Sequence, residues 1–167
     1  MKAMGERGNL SSCMDPAYQC PWRSCHGGCT VHCKGCFNQE SWDFAAGKPF
    51  TDETTAAILK ALDNPYVAGF SLLGGDPFEP EHEATLVKLL AAVKTRFPEK
   101  TIWAWTGRVF DKVKASPLLG YIDVLVDGPF VEKKKVTEQG LWYGSTNQRV
   151  LKIVPDAAGC RAEPVTA

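Results

Sequence analysis

At 167 residues the chain has room for one domain with a real buried core. Hydrophobic residues make up 44% and charged residues 23%, the balance of a soluble globular protein, and no apolar run nears the roughly 20 residues that cross a bilayer, which argues against a membrane protein. Nineteen basic and nineteen acidic side chains cancel, which removes the broad attraction that nucleic-acid binding uses.

The chain opens on a polar stretch, Met1 to Ser12, without the apolar core of an export signal, which points to the cytoplasm. Residues 1–28 are rich in Gly, Ser, Pro and Cys and predict an irregular segment. Six of the seven cysteines fall before residue 37: Cys13, Cys20, Cys25, Cys29, Cys33 and Cys36, with Cys160 alone near the end. An odd count, crowded at one end of a chain without an export signal, argues against a disulfide scaffold and for metal ligation. The sharpest piece runs Cys29-Thr30-Val31-His32-Cys33-Lys34-Gly35-Cys36, a C-x3-C-x2-C loop that turns several sulfurs to one side. Iron–sulfur clusters and zinc both accept thiolates. Zinc needs a fourth ligand, for which Cys25 or His32 is available. Three cysteines would instead leave one iron of a 4Fe–4S cluster open to a substrate. Spacing alone leaves the cluster, zinc and unligated thiols all open.

Regular structure begins at Thr51, which caps a predicted helix with Asp52 and Glu53 in its first turn. Ile58, Leu59 and Leu62 form its inner face and Asn64-Pro65 ends it. Val67 to Leu73 predicts a buried strand running into the loop Gly74-Gly75-Asp76-Pro77. A second helix covers about Glu81 to Phe97, with Leu86, Leu89, Leu90, Val93 and Phe97 on one stripe. Thr101 to Trp105 is the next strand, ended by Thr106-Gly107, and a weak helix covers Phe110 to Ala115. Tyr121 to Val126 predicts a third strand, closed by Asp127-Gly128-Pro129. Lys133-Lys134-Lys135 reads as a solvated turn, Val150 to Val154 as a last strand, and residues 155–167 as a flexible tail. Alternating strands and helices imply an α/β domain with a parallel sheet, and ligands in such sheets gather beyond the carboxyl ends of the strands.

The cysteine loop followed by Phe37 and Asn38, with Gly74-Gly75-Asp76-Pro77 after a strand, resembles the radical S-adenosylmethionine superfamily. Four further blocks narrow it: Phe37-Asn38-Gln39-Glu40-Ser41-Trp42, Trp103-Ala104-Trp105-Thr106-Gly107, Val126-Asp127-Gly128-Pro129-Phe130 and Gly144-Ser145-Thr146-Asn147-Gln148-Arg149. Their order and spacing, over about Cys29 to Leu151, resemble the activating proteins of the anaerobic ribonucleoside-triphosphate reductase. The resemblance implies a partial, open (β/α) barrel over residues 29–154. It implies a 4Fe–4S cluster on Cys29, Cys33 and Cys36, with S-adenosylmethionine on the fourth iron. Reductive cleavage would then release methionine and a 5′-deoxyadenosyl radical, which takes a hydrogen from a glycine of the large reductase subunit. Reduced flavodoxin or ferredoxin is the implied electron donor, and neither nucleic acid nor membrane is an implied partner.

On that resemblance Phe37 offers a flat surface to adenine, or else serves as a plain core aromatic. Gly35 and Cys36 lie beside the nucleoside, and Gly74 and Gly75 let their peptides approach the methionyl ammonium. Asp76 places charge there or caps the following helix. Thr106 and Asn147 are candidate polar contacts, although Asn147 and Gln148 are equally suited to hold their own loop. Trp103 and Trp105 share one strand face, in the core by default or along the cavity of the radical. His32 is expected to make a loop hydrogen bond. Cys13, Cys20, Cys25 and Cys160 receive no role.

Residues 1–28 lack the hydrophobic strand, glycine-rich turn and arginine through which this family enters its cysteine loop. By codon degeneracy, Tyr18 through His26 read one nucleotide out of step can encode Ile-Asn-Ala-Pro-Gly-Val-Arg-Val-Thr, which looks like such an entrance. A frameshifted N-terminus is therefore expected, and resequencing codons 10–30 tests it: an intact frame without a family-like alternative ends the idea. Two rival functions stand beside the main one. The chain activates a different glycyl-radical enzyme, or it is a non-catalytic zinc-binding interaction module.

Overall fold

A computed structural model describes residues 9–11 (backbone only), 27–45, 49–138, 140–157 and 159–165. The elements are β1 (Asn9–Ser11), α1 (Asp52–Leu62), β2 (Gly69–Leu72), α2 (Pro80–Arg96), β3 (Thr101–Trp105), α3 (Phe110–Val113), β4 (Val124–Asp127), β5 (Arg149–Asp156) and β6 (Gly159–Pro164). Short 3-10 turns lie at Gln39–Trp42, Pro117–Gly120 and Glu132–Lys134. The strands form one six-stranded sheet in chain order. Strands β1 to β4 pair in parallel, whereas β5 and β6 add antiparallel. The architecture is thus α/β with an open, mixed sheet.

Three expectations change. The segment 1–28, read as irregular, contains strand β1 against β2. Its other residues up to 26, including Cys13, Cys20, Cys25 and the stretch Tyr18–His26, lie outside the described residues. The flexible tail expected from Pro155 is instead the second half of a hairpin, in which Gly159 at φ 122° supports the reversal into β6. The sheet is not wholly parallel: β5 returns antiparallel to β4 after a long connection over residues 128–148 with no crossover helix among its described residues, and the β5–β6 hairpin adds a second antiparallel pair.

Helix α1 starts where predicted. Thr51 and Thr54 form a reciprocal capping box, each side chain accepting the other's backbone N–H. Phe70 and Leu72, Ile102 and Ala104, Leu125, and Leu151 and Ile153 point from alternate strand positions into one core. Ile58, Leu62, Leu86, Leu89, Leu90 and Val93 meet them from the helices. Leu90→Ala, at a position with no exposed surface, is expected to lower unfolding free energy by about 2–5 kcal/mol; urea titration of the metal-free chain reads it.

The intervening residues Ser71, Trp103, Trp105, Val124 and Val126 turn to the opposite face. Trp103 is buried there at 7% exposure, outside the main core. It stacks near Trp105 at 5.7 Å between ring centroids and meets Trp142 at 5.2 Å. The Trp105 indole N–H donates to the Trp142 carbonyl at 2.7 Å. Core helices on one face and a tryptophan cluster on the other leave the two sides chemically distinct.

Candidate active site

The cysteine loop is fastened at the ends of the parallel strands. Gly28 N–H donates to Ser41 O at 2.8 Å and Cys29 N–H to Trp42 O at 3.2 Å, closing residues 29–41 into a compact loop. Asp76 N–H donates to Gly28 O at 3.1 Å, tying that loop to the turn after β2. His82 of α2 adds a clasp, with Nε2 2.9 Å from Gly27 O and Nδ1 3.0 Å from Asp76 O. On the other side the loop meets β3: a Cβ at Gly107 would lie 2.7 Å from Val31 Cγ1. Gly35, at φ 77°, lets the chain reverse against the Glu132 side chain.

Cys29, Cys33 and Cys36 are half-buried free thiols. Burial raises the Cys29 and Cys33 thiols above the ordinary range, and backbone hydrogen bonds from Val31 and His32 to Cys29, and from Phe130 to Cys33, offset that only in part. Asn38 N–H lies 3.4 Å from Cys36 Sγ. Phe37 is 79% exposed and is therefore not a core aromatic. His32, where a loop hydrogen bond is expected, stacks on Trp42 at 4.5 Å.

Asp76 is 2% exposed and fully engaged. It accepts from Thr106 Oγ1 at 2.8 Å, Gly107 N at 3.1 Å and Phe78 N at 3.0 Å, and its Oδ2 lies 3.2 Å from Arg108 Nη1. It does not cap α2; Glu79 occupies that position. Gly74, at φ 138°, makes the turn that presents Gly75 and Asp76. Asn147 stands on the loop before β5, where its Nδ2 donates to Pro129 O at 2.8 Å. Its Oδ1 is buried without a partner among the described residues. Gln148 holds its own loop, accepting from Gly144 N and Ser145 N and donating to Gly128 O. Of the predicted residues, Asp76 is hydrogen-bonded both to the segment that enters the cysteine loop and to Thr106, while Asn147 is held against Pro129.

The sequence profile of a 4Fe-4S single cluster domain matches residues 22–151. An anaerobic ribonucleoside-triphosphate reductase-activating protein of Enterobacteria phage T4 is 40% identical over 123 residues, 74% of this chain and 78% of the relative. The protein of that name from Pasteurella multocida is 41% identical over 132 residues, covering 75% and 83%. That from Escherichia coli K12 is 37% identical over 127 residues, covering 74% and 82%. The chain belongs to the anaerobic ribonucleoside-triphosphate reductase-activating protein family. No solved structure matches it significantly.

The donor set suits the iron–sulfur cluster of the activating-protein family. All three thiols are free, and backbone N–H groups face their sulfurs, donors that partly offset the cost of burying charge on sulfur. Among the described residues no three His, Cys, Asp or Glu side chains converge on a single metal ion; a cubane differs in taking each thiolate on a separate iron.

Beyond the family motifs, the sequence reading misses Thr30, Glu79 and Arg108. Glu79 is 2% exposed, and its Oε1 accepts from Thr30 N at 2.7 Å and Thr30 Oγ1 at 2.9 Å. Its Oε2 accepts from Arg108 Nη2 at 3.0 Å. Burial pushes the Glu79 carboxyl up, but the Thr30 N–H and hydroxyl with Arg108 outweigh it and hold it below the ordinary carboxylate range. Burial wins at Asp76, whose carboxyl is raised despite its donors. The two act oppositely on stability. Ionised Glu79 stabilises the fold above the ordinary carboxylate range, and that contribution is lost as pH falls through it; ionised Asp76 carries a penalty that is relieved as pH falls. The stability gap between the parent chain and Glu79→Gln is therefore expected to be full at neutral pH and to close in acid. A gap that does not change with pH would show that the charge of Glu79 is immaterial.

Proposed function

We propose that this chain generates a glycyl radical on the large subunit of an anaerobic ribonucleoside-triphosphate reductase, by reductive cleavage of S-adenosylmethionine. The observation that carries the reading is the hydrogen-bonded junction between the cysteine loop and the Gly74-Gly75-Asp76 turn, at 3.1 Å from Asp76 N to Gly28 O, in a chain whose relatives bear the activating-protein name. When bound on Cys29, Cys33 and Cys36, a reduced 4Fe–4S cluster supplies the electron that splits the sulfonium into methionine and a 5′-deoxyadenosyl radical.

The residues of the chain bind and orient. Gly74 and Gly75 offer peptide carbonyls to the methionyl ammonium, and Asp76 holds that turn through Thr106. Phe37, exposed beside the third cysteine, is free to lie on adenine, and Gly35 lets the chain turn tightly against Glu132 next to it. The partnerless Asn147 Oδ1 is an acceptor for a nucleoside donor. Trp103, Trp105 and Trp142 exclude water from the sheet face opposite the helices. That face belongs, in this reading, to a partial (β/α) barrel of the radical S-adenosylmethionine type, wide enough for a protein loop to enter. Reduced flavodoxin or ferredoxin is the donor, and Lys34 with Lys133, Lys134 and Lys135 stands exposed around the loop where an acidic donor would approach. Oxygen destroys such clusters and radicals, so the work is anaerobic and cytoplasmic.

Anaerobic reconstitution with iron and sulfide, followed by a 5′-deoxyadenosine assay with and without the reductase, tests the proposal. Brown protein with roughly four irons per chain, and a reductase-dependent glycyl radical in electron paramagnetic resonance (EPR), is the expected result. Colourless, zinc-loaded protein that never cleaves S-adenosylmethionine would overturn it in favour of an interaction module. Cleavage that leaves the reductase unmodified and instead activates another glycyl-radical enzyme would reassign the partner.

A further inference from the structure

Glu79 is the N-cap residue of α2, but its side chain makes no capping hydrogen bond there. Its carboxylate is buried, which is costly unless every lone pair is answered. The donors come from elsewhere: Thr30, 49 residues away in the cysteine loop, and Arg108, 29 residues away after β3. Arg108 Nη2 also donates to Thr30 Oγ1 at 2.9 Å, and that hydroxyl in turn donates a hydrogen bond to Glu79 Oε1. Arg108 Nη1 faces Asp76, while Arg108 N–H donates to Thr106 Oγ1 at 3.1 Å. One guanidinium therefore spans the peptide that follows Cys29 and the turn that carries Gly74 and Gly75. Neither Glu79 nor Arg108 belongs to the cysteine or glycine motifs.

We propose that Glu79 and Arg108 are positioning residues that lock the peptide after Cys29 to the Gly74–Asp76 turn, so that the cysteine loop and the glycine turn keep one fixed relation. The inference rests on the proposed function, since the lock matters for catalysis only if both sides hold parts of one reaction centre. Glu79 and Arg108 act through Thr30 and Asp76 rather than on the substrate. A bridge that merely glued the fold together would show in stability alone.

The test uses the full chain with Glu79→Gln, Arg108→Met, their double variant, Thr30→Val and Thr30→Ser. Three readouts apply: S-adenosylmethionine affinity, the EPR change of the reduced cluster on adding S-adenosylmethionine, and hydrogen exchange over residues 27–36 in the metal-free chain. Each of Glu79→Gln and Arg108→Met is expected to weaken S-adenosylmethionine binding roughly tenfold and to blunt the EPR change. The double variant is expected to be little worse than either single one, as for two parts of one device. Thr30→Ser, which keeps the hydroxyl, is expected to behave like the parent, and Thr30→Val like Glu79→Gln.

Parent-like affinity and EPR change in the Glu79 and Arg108 variants, with only a lowered melting temperature, would overturn the lock. Should those two variants not fold, the Thr30 pair decides by the same criteria. A parent chain that binds no cluster or no S-adenosylmethionine sinks the proposed function instead. Exchange then judges the lock alone: faster exchange confined to 27–36 in Glu79→Gln supports it, and an unchanged rate overturns it.

Discussion

Cys29→Ala, Cys33→Ala and Cys36→Ala are each expected to abolish 5′-deoxyadenosine formation and to leave little iron in anaerobically reconstituted protein. The reason is electronic as well as geometric. The half-buried loop cysteines, with backbone N–H groups facing their sulfurs, supply soft sulfur ligands that become anionic on binding iron, and a methyl group supplies none. Cys160→Ala is the control. Cys160 lies on β6, the strand at the far end of the sheet order from β1, and its removal is expected to leave iron content and activity intact. Iron and sulfide analysis beside product chromatography reads all four variants. Full iron in any one of the three loop variants would mean that another side chain ligates in its place.

Asp76→Ala is expected to produce the largest loss of stability at the site, about 3–5 kcal/mol. Its carboxylate answers the Thr106 hydroxyl, the N–H groups of Phe78 and Gly107, and the Arg108 guanidinium at once. Removing it strands donors that are themselves buried or half-buried, with Thr106 only 3% exposed. The Gly74–Gly75 turn loses its anchor as well, so S-adenosylmethionine affinity is expected to fall together with stability. Urea unfolding of the metal-free chain measures the first effect and equilibrium dialysis of the reconstituted protein the second. A stability loss below about 1 kcal/mol would show that water replaces the carboxylate without penalty.

Local periodicity made much of this architecture readable. The Leu86, Leu89, Leu90 and Val93 stripe predicts α2 and is buried along its length, because a 3.6-residue repeat leaves a helix one face to hide. The Gly-Gly-Asp-Pro turn and the Trp-Ala-Trp strand were legible for the same reason, as short runs bounded by residues that break regular structure. The β5–β6 hairpin was not. Pro155 and Gly159 punctuate that stretch, and composition alone does not distinguish a tail from a strand that pairs only because β5 offers an edge. The Thr30–Glu79–Arg108 bridge was hidden more deeply. Charged side chains default to solvent in any sequence reading, and here the contacts span 49, 29 and 78 residues. Only folding reveals that Glu79 is interior. Glu and Arg inside otherwise ordinary loop segments carry no signal short of three-dimensional placement.

The contact between Gly107 and Val31 sets a manufacturing tolerance for the whole centre. Nothing larger than hydrogen fits at 107 while the branched Val31 side chain keeps its seat, since an added carbon would stand 2.7 Å from it. The sulfur-bearing loop thus rests against the strand end with no slack, and a single methyl there would lever the loop outward without touching any ligand. Gly107→Ala is consequently the smallest chemical edit expected to spoil assembly of the centre while sparing the hydrophobic interior.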